Sequence, residues 1–175
     1  ETAFSRTFTS IYGDESLADS GLFEEFYRGD FQKAKMFCGQ NPEAVDSVHR
    51  LKDRGYRVAL ATNPLFPAIA TESRIRWAGL NPEDFEWYTT YENIGFCKPN
   101  PVYYLEMAKH LDVAPEDCLM VGNDVDEDMI AARKAGMDVL LLTDCLLNRK
   151  NRDISVYPQG GFAQLMEYVM IQGTK

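Results

Sequence analysis

The sequence lacks the residue patterns of a zinc finger, a disulfide scaffold and a membrane protein. Its four cysteines are widely spaced with no Cys-x-x-Cys pair, and its two histidines are too few and too far apart for a metal site. The longest apolar runs are only a few residues, too short to cross a bilayer as a helix. We therefore expect a cytoplasmic protein whose thiols are reduced and mostly buried.

Positive charge is also scarce. The 175 residues carry 18 basic and 27 acidic side chains, which gives a formal net charge of -9. This balance argues against nucleic acid or an anionic membrane as a partner. An anionic substrate would need local help from a metal ion or a focused cation. A hydrophobic fraction of 45% is ordinary for a globular protein, so this length predicts one main domain with a sizeable core.

The first part of the sequence is rich in aromatic residues at helical spacing. The chain begins at Glu1, already within this pattern, and we expect the native protein to start earlier. The pattern predicts helices within residues 1–37, burying their aromatics against each other and a neighbour. A break at 39–41 separates a predicted helical unit, residues 1–40, from residues 41–175. The two apolar stripes comprise Phe4, Phe8, Ile11 and Tyr12, then Leu22, Phe23, Phe26 and Tyr27.

From Asn41 onward, helical and strand patterns alternate. Asn41-Pro42 and Asn100-Pro101 each combine a side-chain cap with proline at the first helical position. In the second of these helices we expect Leu105, Ala108 and Leu111 to face inward. The alternation predicts an α/β fold with a doubly wound parallel sheet. The predicted strands are 56–61, 85–89, 118–121 and 139–142, and the predicted helices begin near 42, 67, 101, 126 and 162.

Polar residues follow several of these strands, where ligands bind in parallel sheets. Thr62 and Asn63 follow the first strand, Asn123 and Asp124 follow the third, and Lys98 begins a helix that can reach the same edge. A hydroxyl and backbone amides can cradle phosphate oxygens, and a lysine adds a point charge. Carboxylates can hold Mg²⁺. Together these are the electrostatic parts of a phosphoryl-transfer site.

The acidic stretch 119–128 has two interpretations. Its crowded carboxylates either point into water at a helix start or surround a cation. Taken alone, the stretch slightly favours the solvated helix start. An EF-hand is excluded, because Met129 stands where that calcium loop needs glycine and Ala135 where it needs glutamate.

The ordered set of motifs resembles the haloacid dehalogenase-like hydrolase superfamily over nearly the whole chain. Thr62-Asn63, Cys97-Lys98-Pro99 and Gly122-Asn123-Asp124 through Asp128 look like its second, third and fourth motifs. The resemblance implies that Thr62 and Asn63 bind phosphate and that Lys98 steadies phosphate and nucleophile. It also implies a magnesium site near Asn123 and Asp124, with Asp128 as a ligand or a partner of a ligand.

The sequence departs from this family at two motifs. Asn123 stands where the family usually has aspartate, so either Asn123 or Asp124 would be the direct ligand. The family's first motif, an Asp-x-Asp on a central strand, has no counterpart in the sequence. By the resemblance, that strand lies between the strands of the second and fourth motifs, and residues 1–40 form the rear of a helical cap. We expect the native protein to contain the strand, since two central edges would otherwise stand open.

The sequence therefore predicts a Mg²⁺-dependent phosphatase of a small phosphorylated metabolite, acting through an aspartyl-phosphate. The alternative is a catalytically inactive binding or regulatory domain of the same fold, which the missing nucleophile favours. A dehalogenase is disfavoured because, by the resemblance, its chemistry needs no magnesium. A signalling receiver domain is disfavoured because its acids precede its hydroxyl and lysine.

Overall fold

The computed structural model describes residues 2–13 and 20–172, with side chains described for 6–13 and 21–171. The helices are α1 (Thr2–Tyr12), α2 (Ser20–Arg28), α3 (Pro42–Asp53), α4 (Ala68–Trp77), α5 (Pro101–His110), α6 (Ala131–Lys134) and α7 (Phe162–Gln172). 3₁₀ helices span Asp30–Phe37, Pro82–Asp84 and Pro115–Asp117, and a π-helical turn spans Val125–Ile130. The strands are β1 (Ala59–Leu60), β2 (Trp87–Tyr88), β3 (Leu119–Gly122), β4 (Asp138–Leu142) and β5 (Gln159–Gly160).

Every strand pair in the described residues is parallel, which confirms the α/β fold. The strands form two sheets, β1-β2 and β3-β4-β5. In the first, Ala59 pairs with Trp87, and in the second, Leu119 pairs with Asp138. Within the part of the chain that the structure describes, β1 and β3 are therefore both edge strands. β1 and β2 are shorter than the sequence predicts, because only two residues of each find a partner.

Two of the predicted helix starts, near 42 and 101, are confirmed by their side-chain caps, whereas the helix predicted from 126 begins as the π-helical turn and becomes α-helical only at Ala131. The Asn41 side chain accepts a hydrogen bond from the backbone N–H of Glu43 at 3.0 Å, and Asn100 accepts one from Val102 at the same distance. Gly79 follows α4 at φ 90°, a left-handed conformation that favours glycine. These ends are local features, so they depend little on the rest of the fold.

The largest core lies between α5, the π-helical turn, α6 and the second sheet. The prediction for α5 needs correction here, since Leu105 is 43% exposed and two tyrosines are buried in its place. The buried members of this core are Tyr103, Tyr104, Met107, Ala108, Val125, Met129, Ala131, Ala132, Ala135, Met137, Val139 and Leu141.

The aromatic residues before Asn41 are less buried than the sequence predicts. Phe8 contacts Phe23, with ring centroids 5.6 Å apart, and Phe31 packs against Trp77 at 5.2 Å. These contacts agree with the expected mutual packing. However, much of the stripe remains in solvent, including Ile11, Tyr12, Leu22 and Phe26. The Phe4 side chain lies outside the described residues, and the boundary after residue 40 stays a prediction.

The cysteines are free thiols, but their expected burial is wrong. Cys38, Cys97 and Cys145 are exposed, and Cys118 is half-buried. Cys145 follows an apolar strand, yet the chain has already left the sheet at that point.

Across residues 2–13 and 20–172, no helix combines the length and the apolar character needed to span a membrane.

Asp84, in the 3₁₀ segment before β2, makes the stability of the protein depend on pH. Its carboxylate accepts the Asn81 backbone N–H at 2.8 Å and pairs with Lys52 at 2.9 Å, which lowers the pKa of Asp84. A lowered folded pKa contributes stability that is complete above the unfolded value of about 3.9. That stability is lost as the pH falls through the folded value.

We expect Asp84→Asn to lower the free energy of unfolding by about 1 kcal/mol at pH 7. The difference from wild type should shrink below about pH 4, where wild-type Asp84 begins to take up a proton. Urea denaturation at pH 7, 5 and 3 measures it. A difference that stays constant over this range would contradict the assignment.

Candidate active site

Thr62 is held at the end of β1 by Thr89, which follows β2. Its backbone N–H donates to Thr89 Oγ1 at 3.0 Å, and its hydroxyl donates to the Thr89 carbonyl at 3.1 Å. The Thr89 hydroxyl in turn donates to the Thr62 carbonyl at 2.8 Å. Thr89 is fully buried, so this arrangement is shielded from water. The half-buried Thr62 hydroxyl is therefore placed at the carboxyl end of the first sheet.

The side chain of Lys98 is buried, whereas most lysine side chains lie in solvent. Its Nζ is 2.6 Å from Asp128 Oδ1, and both side chains are only 7% exposed. The rings of Tyr103 and Tyr104 both face it from the same side, with centroids 5.9 and 6.0 Å from Nζ. The sequence places Lys98 at the site edge, but the pairing with Asp128 comes only from the tertiary structure.

Asp128 organises the loop between β3 and the π-helical turn. Its Oδ2 accepts the backbone N–H groups of Asn123 at 3.1 Å and Asp124 at 3.0 Å. Gly122 lies so close that a Cβ atom there would fall 2.4 Å from Oδ2. Together with the Lys98 pair, these contacts engage both oxygens of Asp128 with buried partners.

Asp124 caps the turn that follows. Its Oδ1 accepts hydrogen bonds from the backbone N–H groups of Asp126 at 2.9 Å and Glu127 at 3.0 Å. Its backbone carbonyl accepts a hydrogen bond from the Met129 N–H at 3.2 Å. The last bond spans five residues, as in a π-helix, a geometry that is frequent at functional sites. Asp124 Oδ2 lies 2.5 Å from the exposed Arg149 side chain.

Basic side chains from elsewhere balance the acidic turn. Asp126 pairs with Arg152 at 2.7 Å and with Lys150 at 3.3 Å, and the Arg152 hydrogen bond lowers the pKa of Asp126. With Asp124 6% and Asp128 5% exposed, the stretch is not a solvated helix start. Cations do lie among the carboxylates, and in this structure they are side chains of the chain itself.

Adjacent tyrosines of α5 join the ends of the two sheets. The Tyr103 hydroxyl donates to the Thr62 carbonyl at 2.7 Å, and the Tyr104 hydroxyl donates to the Glu127 carbonyl at 2.8 Å. Asn63 adds a third link, with Nδ2 3.5 Å from Glu127 Oε2. Sequence reasoning missed both tyrosines and Thr89. The cap at Asn100 predicted the helix that carries the tyrosines. No pattern in the sequence predicted the carbonyl groups to which their hydroxyls donate.

The oxygen atoms at this junction suit a magnesium ion. In the part of the chain that the structure describes, no three His, Cys, Asp or Glu side chains form a metal cluster. Mg²⁺ is usually held by one or two carboxylates together with waters and substrate oxygens, so such a cluster is not required. Asn63 Oδ1 is buried without a hydrogen-bond partner. Asp124 Oδ2 is held by Arg149, whose side chain is 63% exposed, so solvent competes for this arginine although the Asp124 side chain is only 8% exposed.

Comparison with known proteins identifies the family. The haloacid dehalogenase-like hydrolase family model matches residues 7–136. The chain belongs to this family. The second, third and fourth motifs of the resemblance all lie within the matched residues.

Among similar proteins is a glyceraldehyde 3-phosphate phosphatase of Methanopyrus kandleri, 30% identical over 55% of this chain and 40% of its own length. Another is phosphoglycolate phosphatase 1 of Pseudomonas aeruginosa, 29% identical over 74% of this chain and 45% of its own length. The chain thus spans less than half the length of either relative.

A solved structure shares the fold of this chain. It is YfnB from Bacillus subtilis, described as a HAD-hydrolase bound to magnesium. The TM-score is 0.60 with 20% identity, over 72% of this chain and 54% of that one. This likeness supports a Rossmann-like α/β core.

Proposed function

We propose that the native protein is a Mg²⁺-dependent phosphatase of a small phosphorylated metabolite. The observation that carries the proposal is the junction on α5. Tyr103 reaches Thr62 at the end of β1, and Tyr104 reaches Glu127 within the π-helical turn that Asp124 caps. The Lys98 ammonium group faces the same two rings. The phosphatase activities named for the relatives from Methanopyrus kandleri and Pseudomonas aeruginosa support the reaction class.

Each residue has a role that follows from its contacts. The Thr62 hydroxyl, which donates to a backbone carbonyl in this structure, can rotate to a phosphate oxygen. Lys98 supplies positive charge, and its pairing with Asp128 holds the ammonium group in a fixed position. A fixed charge in a dry site costs no reorganisation when charge develops on the phosphoryl group. Asn63, beside Thr62, links the phosphate side to the acidic turn.

Asp124 is the carboxylate best placed to hold Mg²⁺, with Asn123 beside it. Asp128 serves better as the partner that shapes the loop, since buried groups engage both of its oxygens. When bound, the metal would supply charge neutralisation to the phosphate oxygens. Of Asn123 and Asp124, we therefore propose Asp124 as the direct ligand of the metal.

The attacking aspartate belongs, in this proposal, to a further strand between β1 and β3. Both strands have an unpaired edge within the described residues. An aspartate on such a strand would attack phosphorus and release the alcohol, and water would then split the aspartyl-phosphate to inorganic phosphate. The helical residues 1–40 would form part of a cap that excludes bulk water.

The test is Mg²⁺-dependent hydrolysis of p-nitrophenyl phosphate by the protein that carries this strand. Asp124→Asn keeps an oxygen to cap the turn but removes the negative charge, and we expect activity to fall about 100-fold. Asp126→Asn is the matched control from the same turn, with an expected change of less than about threefold, because its carboxylate faces Arg152. Activity that is independent of Mg²⁺, or equal in the two variants, would refute the assignment.

The alternative is a binding or regulatory domain without turnover. It is compatible with the described residues, in which no strand carries an Asp-x-Asp. It predicts that the full protein binds inorganic phosphate or Mg²⁺ but releases no p-nitrophenol at any enzyme concentration tested.

A further inference from the structure

The proposed function assigns no role of their own to the hydroxyl groups of the two α5 tyrosines. Tyr103 is 0% and Tyr104 1% exposed, yet each places its hydroxyl on a backbone carbonyl of the site. A buried hydroxyl without a partner is costly, so these positions are firmly held. Burial also raises the pKa of both phenols, which keeps each of them protonated as a donor.

We propose that Tyr103 and Tyr104 are positioning residues for opposite halves of the site. Tyr103 orients Thr62 for phosphate, and Tyr104 orients the acidic turn for Mg²⁺. This inference rests on the proposed function.

The Tyr103 contacts converge on Thr62. The tyrosine hydroxyl donates to the Thr62 carbonyl and lies 3.1 Å from Thr89 Oγ1. Thr89 Oγ1 also accepts the Thr62 N–H. Three groups of Thr62, namely its N–H, its carbonyl and its hydroxyl, are thus fixed by Thr89 and Tyr103. Without the tyrosine hydroxyl, the Thr62 carbonyl would keep only the Thr89 hydroxyl as a donor, so the backbone that carries the Thr62 side chain would be held less firmly.

The Tyr104 contacts converge on the acidic turn. Its hydroxyl donates to the Glu127 carbonyl and lies 3.5 Å from Asp128 Oδ1. Asp124, the proposed metal ligand, is the residue that caps this turn. Tyr104 therefore acts on the metal half through the backbone of the turn, without itself touching the metal.

Single hydroxyl deletions test the proposal. Calorimetry measures the binding of inorganic phosphate without metal, and of Mg²⁺ without phosphate, to each variant. We expect Tyr103→Phe to weaken phosphate binding about tenfold and Mg²⁺ binding less than twofold, and Tyr104→Phe to do the reverse. Tyr88→Phe is the matched control, because it removes a hydroxyl that donates to Glu72 at 2.9 Å, away from the site. It should leave both affinities unchanged.

The crossed pattern separates positioning from general destabilisation. Loss of packing in α5 would lower both affinities in both variants, and that result would overturn the inference. Equal affinities in Tyr103→Phe and Tyr88→Phe would overturn it as well. If the wild-type protein binds neither phosphate nor Mg²⁺, the proposed function itself fails, and the inference fails with it.

Discussion

Asp128→Ala should lower the free energy of unfolding by about 3–5 kcal/mol. The substitution leaves the Lys98 ammonium buried without its partner at 2.6 Å. It also removes the acceptor for the Asn123 and Asp124 backbone N–H groups. Breaking one side of a buried ion pair costs far more than the pair itself contributes, because an uncompensated charge remains in a dry environment.

Urea denaturation at pH 7 measures this loss. The control is Asp46→Ala, which removes an ion pair with Arg50 at 3.3 Å on the exposed face of α3. That pair should contribute less than about 1 kcal/mol, since solvent screens both charges. The double variant Lys98→Met with Asp128→Ala should recover part of the loss, because it no longer buries an unpaired charge. Equal effects of Asp128→Ala and Asp46→Ala would contradict the described geometry.

Gly122→Ala should lower the free energy of unfolding by about 3 kcal/mol through overpacking. A Cβ atom at this position would lie 2.4 Å from Asp128 Oδ2 and 2.6 Å from Asp128 Cβ. Because one of these atoms is next to the backbone, rotation of the side chain cannot relieve the clash. The turn itself must move, and its two bonds to Asp128 Oδ2 weaken.

Thermal and urea denaturation of Gly122→Ala measure the effect. Gly39→Ala is the matched control, because no atom lies within 4 Å of its added Cβ. It should change stability by less than about 0.5 kcal/mol. The Asp128→Gly background lacks the clashing Asp128 side chain. In that background, Gly122→Ala should therefore lower the free energy of unfolding by much less than it does in wild type. Strict additivity of the two substitutions would refute the contact.

Much of the fold follows from neighbouring residues. Asn41 and Asn100 cap helices through backbone groups only two residues away. Such interactions form wherever the local sequence occurs, so helix starts and the alternation of elements could be predicted. The order of Thr62, Lys98 and the acidic stretch was equally visible, and with it the family to which the chain belongs.

The partners of the site residues could not be predicted in the same way. Lys98 and Asp128 are thirty positions apart, and Thr62 meets Thr89 and Tyr103 only through sheet pairing and the docking of α5. The burial of the tyrosines and the exposure of Leu105 show which face of α5 packs against the core, and the spacing of apolar residues within the helix did not predict that face. Helical spacing likewise predicted burial for the aromatic residues before Asn41. Spacing does not show whether a packing partner exists, and most of these side chains remain in solvent.

The acidic stretch 119–128 shows the division most clearly. Its crowding of carboxylates, and therefore the need for compensating charge, is a property of the local sequence. The way in which this need is met belongs to the tertiary structure, which brings Lys98, Arg149, Lys150 and Arg152 to it from other segments. The reason is physical: capping acts over one helical turn, whereas burying a charge requires a partner that only the folded chain can bring within hydrogen-bond distance.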